Sequence, residues 1–170
     1  RRNPKPYQRL WEPFHPAPDL LEGIDVLIHL AGEPIFGRFS ESHKQAIRDS
    51  RITPTSRLAH LVADSPTVHT MISASAVGYY GWDRGDEVLT ETSERGEGFL
   101  ADVVSDWEAA TIVAAEAGKR VLNVRFGSIM SGISGMLPVL KALFSTGLGG
   151  SFGDGNFWFP WISLDDATDI

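Results

Sequence analysis

The sequence contains no cysteine among its 170 residues. This absence excludes disulfide scaffolds, cysteine nucleophiles, and zinc or iron–sulfur sites with cysteine ligands. Basic residues are in the minority, because 15 Lys and Arg stand against 22 Asp and Glu for a formal net charge of −7. The broad positive surface that phosphate-driven nucleic-acid binding requires is therefore missing, and no nucleic-acid partner is expected.

Long apolar runs are also absent. No uninterrupted run reaches the roughly 18 apolar residues of a membrane-spanning helix, and the first residues carry no signal-peptide pattern. We therefore expect a cytoplasmic protein without a membrane partner. The five histidines show no metal-ligand spacing, so no metal site is expected. His29 lies inside an apolar run and is predicted to be a hydrogen-bonded core residue.

Strand-like and helix-like segments alternate along the chain. Apolar runs over 24–30, 68–75 and 121–126 predict strands, the first two of them buried on both faces as in a parallel sheet. Helical spacing predicts helices over about 40–49, 55–64, 99–117 and 136–145, with a further helix beginning at 164. Ser40 is a predicted N-cap, and Gly118 is predicted to end the third helix. This order predicts an α/β fold with a parallel sheet.

Small residues follow or end each of the three predicted strands. They are Ala31-Gly32 after the first, Ser73-Ala74-Ser75 at the end of the second, and Gly127-Ser128-Ile129 after the third. Ligands of open parallel sheets collect outside the carboxyl ends of the strands. Small residues there either let a flat cofactor approach the backbone or fit tight turns, and the residues alone leave both interpretations open.

Several motifs resemble those of a known family. Four segments resemble the extended short-chain dehydrogenase/reductases: Asp25–Gly32, Arg51–Leu58, Ser73–Gly81 and Trp161–Asp166. Five motifs are more specifically similar to an atypical branch of that family, the nucleoside-diphosphate-sugar epimerase or cell-division-inhibitor-like proteins. These are Leu-Ala-Gly-Glu at 30–33, Asp-Ser-Arg at 49–51, Gly-Tyr-Tyr-Gly at 78–81, Arg-Gly-Asp-Glu at 84–87 and Gly-Leu-Gly-Gly at 147–150.

The resemblance implies a Rossmann-like, doubly wound parallel sheet. Residues 1–170 would form a partial NAD(P)-binding domain, with 128–161 contributing to the substrate side. The family's N-terminal strand, glycine-rich loop, helix and second strand are expected to be absent from this chain, as is its C-terminal substrate region.

The resemblance also implies a cofactor, NADP rather than NAD. Arg1 and Arg2 fall where the family ends its second strand, and a guanidinium there can hold a 2′-phosphate. A solvated terminus is the alternative. Further cofactor-binding candidates are Leu30, Ala31, Gly32, Arg51, Ser73, Ala74, Arg125 and Ile129. Arg51 could reach the nicotinamide ribose or a phosphate, or form a surface salt bridge with Asp49 or Glu41. Arg125 could anchor a ligand or pair with an acid.

Catalysis in the family normally uses a Ser together with Tyr-x-x-x-Lys, whose Lys favours the phenolate form of the Tyr. The corresponding predicted helix, 99–117, contains neither Tyr nor Lys. The catalytic candidates are therefore Ser75, Tyr79 and Tyr80. Their structural alternatives are a hydroxyl that caps a backbone group for Ser75, and aromatic packing for the two tyrosines.

Two functions follow from the resemblance. The first is an NADP-dependent oxidoreductase or nucleotide-sugar epimerase-like enzyme, acting on a small molecule such as a nucleotide sugar or another carbonyl compound. The second is a catalytically weak NADP-binding sensor or interaction protein, which the missing dyad favours. A homodimer is compatible with either function.

Overall fold

The computed structural model describes Lys5, residues 7–151 and residues 153–170. Its strands and helices alternate, which confirms the α/β class. In chain order the elements are β1 (Val26–His29), α1 (Glu41–Asp64), β2 (Thr70–Ala76), α2 (Phe99–Ala109), α3 (Ile112–Glu116), β3 (Arg120–Phe126), β4 (Ser128–Met130), α4 (Met136–Ser145), β5 (Trp161–Ser163) and α5 (Leu164–Asp169). A 3₁₀ turn, Val77–Tyr80, follows β2 directly.

The chain divides into two compact units. The first unit comprises the chain up to Ser75 together with Asp102–Val124. The second unit comprises Ala76–Ala101 together with Arg125–Ile170. None of the helices within the described ranges is long and apolar enough to cross a membrane.

A three-stranded sheet has the strand order β1-β2-β3. The strands β1 and β2 are parallel, with His29 opposite Ser73. All three strands begin at one edge, because His69 N donates to Asp25 O at 3.0 Å and Arg120 N donates to His69 O at 2.9 Å. The residues that follow β1 and those that end β2 therefore meet at the opposite, carboxyl edge.

The strand β1 differs from its predicted burial on both faces. Its residues Val26 and Ile28 are exposed, and His29 is buried. The reason is position, because β1 is one of the two edge strands of the described sheet and an edge strand is covered less than a central one. The central strand β2 is largely buried, as predicted.

The helix α1 carries much of the first unit's core. Ser40 is its N-cap, as predicted, and its Oγ accepts from His43 N at 3.3 Å. Two separate helices were predicted here, and that prediction is wrong, because α1 continues through Pro54. A proline inside a helix costs about 3 kcal/mol. Pro54 is itself buried, and Leu58 and Val62 pack beyond it in the apolar cluster, so tertiary packing offsets the lost hydrogen bond.

The predicted helix over 99–117 is two helices, α2 and α3, separated at Thr111. The Thr111 hydroxyl donates to Glu108 O at 2.7 Å and accepts from Asn123 Nδ2 at 3.1 Å. A side-chain bond of this kind competes with the helical hydrogen bonds of the backbone. Gly118 ends α3 with a φ of 79°, as its sequence position predicts.

In the second unit, β4 and β5 form a parallel pair with Ile129 opposite Ile162. The helix α4 has the bounds predicted from its apolar spacing. Ser163 is the N-cap of α5, since its Oγ accepts from Asp166 N at 3.0 Å. Both α4 and α5 pack against this strand pair.

Candidate functional site

The carboxyl edge of the β1-β2 pair carries several of the predicted site residues. Leu30, Ala31 and Gly32 follow β1, and Leu30 is 66% exposed. Ser73 and Ser75 lie at the end of β2 on its buried face, with Ala74 half-buried between them. The structure thus brings these predicted residues to one edge of one sheet, where ligands of parallel sheets bind.

The two serines differ in what their hydroxyls do. Ser73 is fully buried, and its Oγ donates to Ala74 O at 3.2 Å within the same strand. Ser75 is 4% exposed, and its Oγ donates to Glu108 Oε1 on α2 at 2.5 Å. A hydrogen bond to a carboxylate is short and charge-assisted. The hydroxyl proton of Ser75 therefore has a defined acceptor, and Glu108 is a site residue that the sequence analysis missed.

Arg51, on α1, lies next to the residues that follow β1. A Cβ added to Gly32 would lie 3.2 Å from Arg51 Cζ. The guanidinium carbon is 5.3 Å from the ring centre of Trp107, a cation–π distance. Burial lowers the pKa of Arg51, and the nearby charge of Glu33 acts in the opposite direction.

The alternative role for Arg51, a salt bridge with Asp49 or Glu41, is wrong. Asp49 accepts from Gln45 Nε2 at 2.7 Å, and Glu41 pairs with Lys44 at 2.8 Å. The Nη1 of Arg51 donates instead to the carbonyl of Ile47 at 3.1 Å and lies 3.4 Å from Ser50 Oγ. Its Nε and Nη2 make no hydrogen bond within the described ranges.

Tyr79, Tyr80 and Arg125 form a cluster in the second unit. The Arg125 Cζ lies 3.5 Å from the ring centre of Tyr79 and 5.1 Å from that of Tyr80. Its Nη1 donates to Tyr80 Oη at 3.0 Å, and Tyr80 Oη donates to Thr90 O at 3.0 Å. The hydroxyl of Tyr80 is therefore held on both sides. The hydroxyl of Tyr79 makes no hydrogen bond to the part of the chain that the structure describes.

Gly127, which follows β3, lies against the backbone of another segment. A Cβ added to Gly127 would lie 2.8 Å from the carbonyl oxygen of Pro160. The glycine allows that backbone to approach, and Ser128 N donates to the same oxygen at 2.9 Å. The absence of a side chain at Gly127 is therefore explained by this close backbone approach. Ile129, two residues later, is part of β4 and is 37% exposed.

His29 is buried, as predicted, but it is not fully hydrogen-bonded. Its Nε2 has no hydrogen-bond partner among the described residues, and its ring stands edge-on to Trp11 with the ring centres 5.6 Å apart. Desolvation by burial lowers the pKa of His29 below its ordinary value of 6.5. The remaining predicted site residues, Arg1 and Arg2, lie outside the described residues. Among the residues described, no group of three His, Asp or Glu side chains could hold a metal ion.

Comparison with known proteins finds relatives that share one description, epimerase family protein. No model of a known protein family matches the chain. An epimerase family protein of Mycobacterium bovis is 45% identical over 152 residues, which are 89% of this chain and 50% of the relative. The chain spans about half the length of the curated relatives it matches.

Two solved structures extend the comparison. A nucleoside-diphosphate sugar epimerase from Corynebacterium glutamicum is 59% identical with a TM-score of 0.87, over 98% of this chain and 35% of that one. The human epimerase family protein SDR39U1, crystallised with NADPH, is 28% identical with a TM-score of 0.77, over 88% of this chain and 53% of that one. These comparisons confirm the predicted relationship: the chain is homologous to about half of an epimerase family protein of the extended short-chain dehydrogenase/reductase type.

Proposed function

We propose that the full-length protein binds a nicotinamide dinucleotide, NADP in preference to NAD, and acts as a nucleotide-sugar epimerase-like oxidoreductase. The observation that carries the proposal is the carboxyl edge of the β1-β2 pair, where the residues after β1 meet Ser73–Ser75 beside the cation of Arg51. This cation lies beside Gly32 at the carboxyl edge of a parallel strand pair and keeps N–H groups that are unbonded within the described ranges. The human relative crystallised with NADPH supports the choice of cofactor.

The other candidate binding residues are proposed to contact the ligand in different ways. Leu30, Ala31 and Gly32 present the backbone after β1 to the dinucleotide. Ser73 and Ala74 contribute through the backbone of β2, because the Ser73 hydroxyl is already bonded within its strand. In the second unit, Arg125 and Ile129 are proposed to contact the ligand, and residues 128–161 to serve the substrate side. Arg1 and Arg2 remain candidates for a 2′-phosphate on sequence grounds.

The proposed chemistry moves a hydride and a proton in a sugar alcohol. When bound, a nicotinamide would supply a reversible acceptor for the hydride of the sugar carbon. Ser75 donates its hydroxyl proton toward Glu108 Oε1, so the Ser75 oxygen can accept the proton that leaves the substrate hydroxyl. Inversion of the carbon would follow when the hydride returns to the opposite face of the sugar carbonyl and the proton passes back from Glu108 through Ser75 to the carbonyl oxygen. The Tyr79 hydroxyl is proposed as a second acid–base group, since no described residue binds it.

The proposed substrate is a small molecule, a nucleotide sugar or a related carbonyl compound. The relative from Corynebacterium glutamicum, described as a nucleoside-diphosphate sugar epimerase, supports this class. Neither the base nor the sugar of this nucleotide sugar is assigned. The cytoplasmic location and the homodimer are part of the same proposal, and neither is needed for the chemistry above.

The test is a cofactor titration followed by a turnover assay on the full-length protein. We expect NADPH to bind more tightly than NADH, and a panel of nucleoside-diphosphate sugars and carbonyl compounds to contain a substrate. Ser75→Ala should retain NADPH binding and lose about two orders of magnitude in turnover, within the range of acid–base catalysis. Failure of the wild-type protein to bind either dinucleotide would contradict the proposal.

A second candidate function is an NADP-binding sensor without efficient catalysis. The sequence of α2 favours this candidate, because the helix contains neither the Tyr nor the Lys of the usual dyad. This function predicts tight NADPH binding, a ligand-dependent change in conformation or partner binding, and no turnover across the same panel. The turnover assay therefore separates the two candidates.

A further inference from the structure

Besides its bond to Ile47 O, the guanidinium of Arg51 lies close to two groups from other parts of the first unit, the backbone at Gly32 and the ring of Trp107. A Cβ added to Gly32 would lie 3.2 Å from Cζ, 3.3 Å from Nη2 and 3.4 Å from Nη1 of Arg51. These nearly equal distances mean that a flat face of the guanidinium lies against Gly32. A Cβ at position 32 would make the guanidinium shift by a few tenths of an ångström, whereas glycine lets it approach the backbone.

The second contact is the ring of Trp107, on α2. Its ring centre lies 5.3 Å from Arg51 Cζ, and its side chain is buried. The indole Nε1 donates to Thr55 Oγ1 at 2.9 Å, and Thr55 is fully buried. Thr55 follows Arg51 by four residues on α1, so both side chains lie on one face of the helix. One hydrogen bond thus orients the ring that contacts the cation.

The positive charge of Arg51 is not neutralised by contact with a described carboxylate. No described carboxylate lies within 4 Å of it, and the carboxylate of Glu33 acts on the guanidinium only through its charge. Of the five N–H donors of a guanidinium, those on Nε and Nη2 stay unbonded within the described chain. A positioned cation with adjacent free donors suits a phosphate, which a guanidinium can bind bidentately.

We propose that Arg51 binds a phosphate oxygen of a nucleoside diphosphate, and that Trp107 and Gly32 are positioning residues that orient its guanidinium for this contact. The inference deepens the proposed function and rests on it, because the phosphate belongs either to the dinucleotide or to the nucleotide part of the substrate. The dinucleotide pyrophosphate and the nucleotide-sugar diphosphate share the same chemistry. Two separate probes, NADPH and UDP, distinguish these sources.

The experiment measures binding of each probe to the full-length protein by calorimetry. Arg51→Lys keeps the charge but loses the planar fork, and we expect tenfold or weaker binding of the probe whose phosphate Arg51 holds. Gly32→Ala should weaken binding of the same probe by a smaller factor than Arg51→Lys does, because the methyl group would shift the guanidinium by only a few tenths of an ångström. Trp107→Leu should do the same where the variant folds. Arg57→Lys, at an exposed position of the same helix, is the matched control and should bind both probes as the wild type does.

A double variant distinguishes an effect of Gly32 on affinity that acts through Arg51 from a direct effect of Gly32 on the ligand. If Gly32 acts through Arg51, Gly32→Ala should change affinity in the wild type and cause no further loss in an Arg51→Ala background. Gly32 is exposed and has no positive φ, so its variant tests the proposal even if Trp107→Leu fails to fold.

The outcomes are separable. Weaker binding confined to NADPH assigns the phosphate to the cofactor, and weaker binding confined to UDP assigns it to the substrate. Unchanged affinity of both probes for Arg51→Lys and Gly32→Ala would overturn this inference while the proposed function stands. A wild-type protein that binds neither probe would overturn both.

Discussion

The hydroxyl of Ser75 donates to the carboxylate of Glu108 across a distance of 2.5 Å, joining the end of β2 to α2. The two residues are 33 positions apart in the chain. Glu108, on a helix that contains neither Tyr nor Lys, is thus a defined acceptor for the serine proton. The pair therefore makes Glu108 as informative a target as Ser75 itself.

Glu108→Gln preserves the size of the side chain and its ability to accept the Ser75 hydrogen bond, but removes its capacity to take a proton. We expect turnover to fall by roughly 100-fold with NADPH affinity unchanged. Residues that act as a unit are not additive, so the double variant Ser75→Ala, Glu108→Gln should be little slower than either single variant. Single-turnover kinetics would show this, and wild-type turnover by Glu108→Gln would rule out the proton route.

Tyr79 and Tyr80 provide a matched pair of phenylalanine substitutions. Tyr80→Phe removes a hydroxyl that bonds Arg125 and Thr90, and should lower the free energy of unfolding by about 1 kcal/mol. Tyr79→Phe removes a hydroxyl without a described partner and should leave stability nearly unchanged while slowing turnover. Denaturant unfolding and the turnover assay measure the two effects. The reverse pattern would show that Tyr80, not Tyr79, is the acid–base group.

His29 should make stability depend on pH. Because burial lowers its pKa in the folded state, the unfolded chain takes up a proton that the folded chain resists. The stability present above the ordinary pKa of 6.5 is therefore lost as the pH falls below it. His29→Leu should reduce the difference in unfolding free energy between about pH 7.5 and pH 5.5. His15→Gln, at an exposed position, should not, and an equal reduction in both variants would contradict the assignment to His29.

A side chain at Gly127 should lower the stability of the fold. In Gly127→Ala the new methyl group would lie 2.8 Å from Pro160 O, so the strand end must shift, at a cost of about 1–3 kcal/mol. Gly132→Ala is the control, because an added Cβ there meets nothing within 4 Å and its φ is not positive. Thermal unfolding of both variants tests this, and equal stability would show that the close approach to Pro160 carries no cost.

Local patterns in the sequence predicted some elements well and others poorly. The helix α4 has the predicted bounds, because its apolar spacing lies within ten residues and needs no distant partner. The continuity of α1 through Pro54 was missed, since only the packing of Pro54 and its neighbours offsets the cost of the proline. That error also concealed the four-residue spacing of Arg51 and Thr55 on one helix.

The sequence also predicted only some residues of the candidate site. The sequence predicted that Ser75 would end a strand, and the family resemblance made Arg51 a candidate for binding the cofactor. It did not predict Glu108 or Trp107, since their partners are 33 and 52 residues away for the bonds to Ser75 and Thr55. No short-range pattern records such pairs. Contacts of this kind form only when the sheet and the helices pack together.

By itself, the sequence determined the α/β order, the small residues at the strand ends and the relationship to the epimerase family, because each is encoded in neighbouring residues. The tertiary structure alone decided which polar side chains are already bonded and which are free. Tyr80 and Ser73 have their hydroxyls engaged, whereas Arg51 keeps unbonded N–H groups within the described ranges. The physical reason is that a hydrogen bond depends on the distance between atoms, which folding sets independently of their separation along the chain.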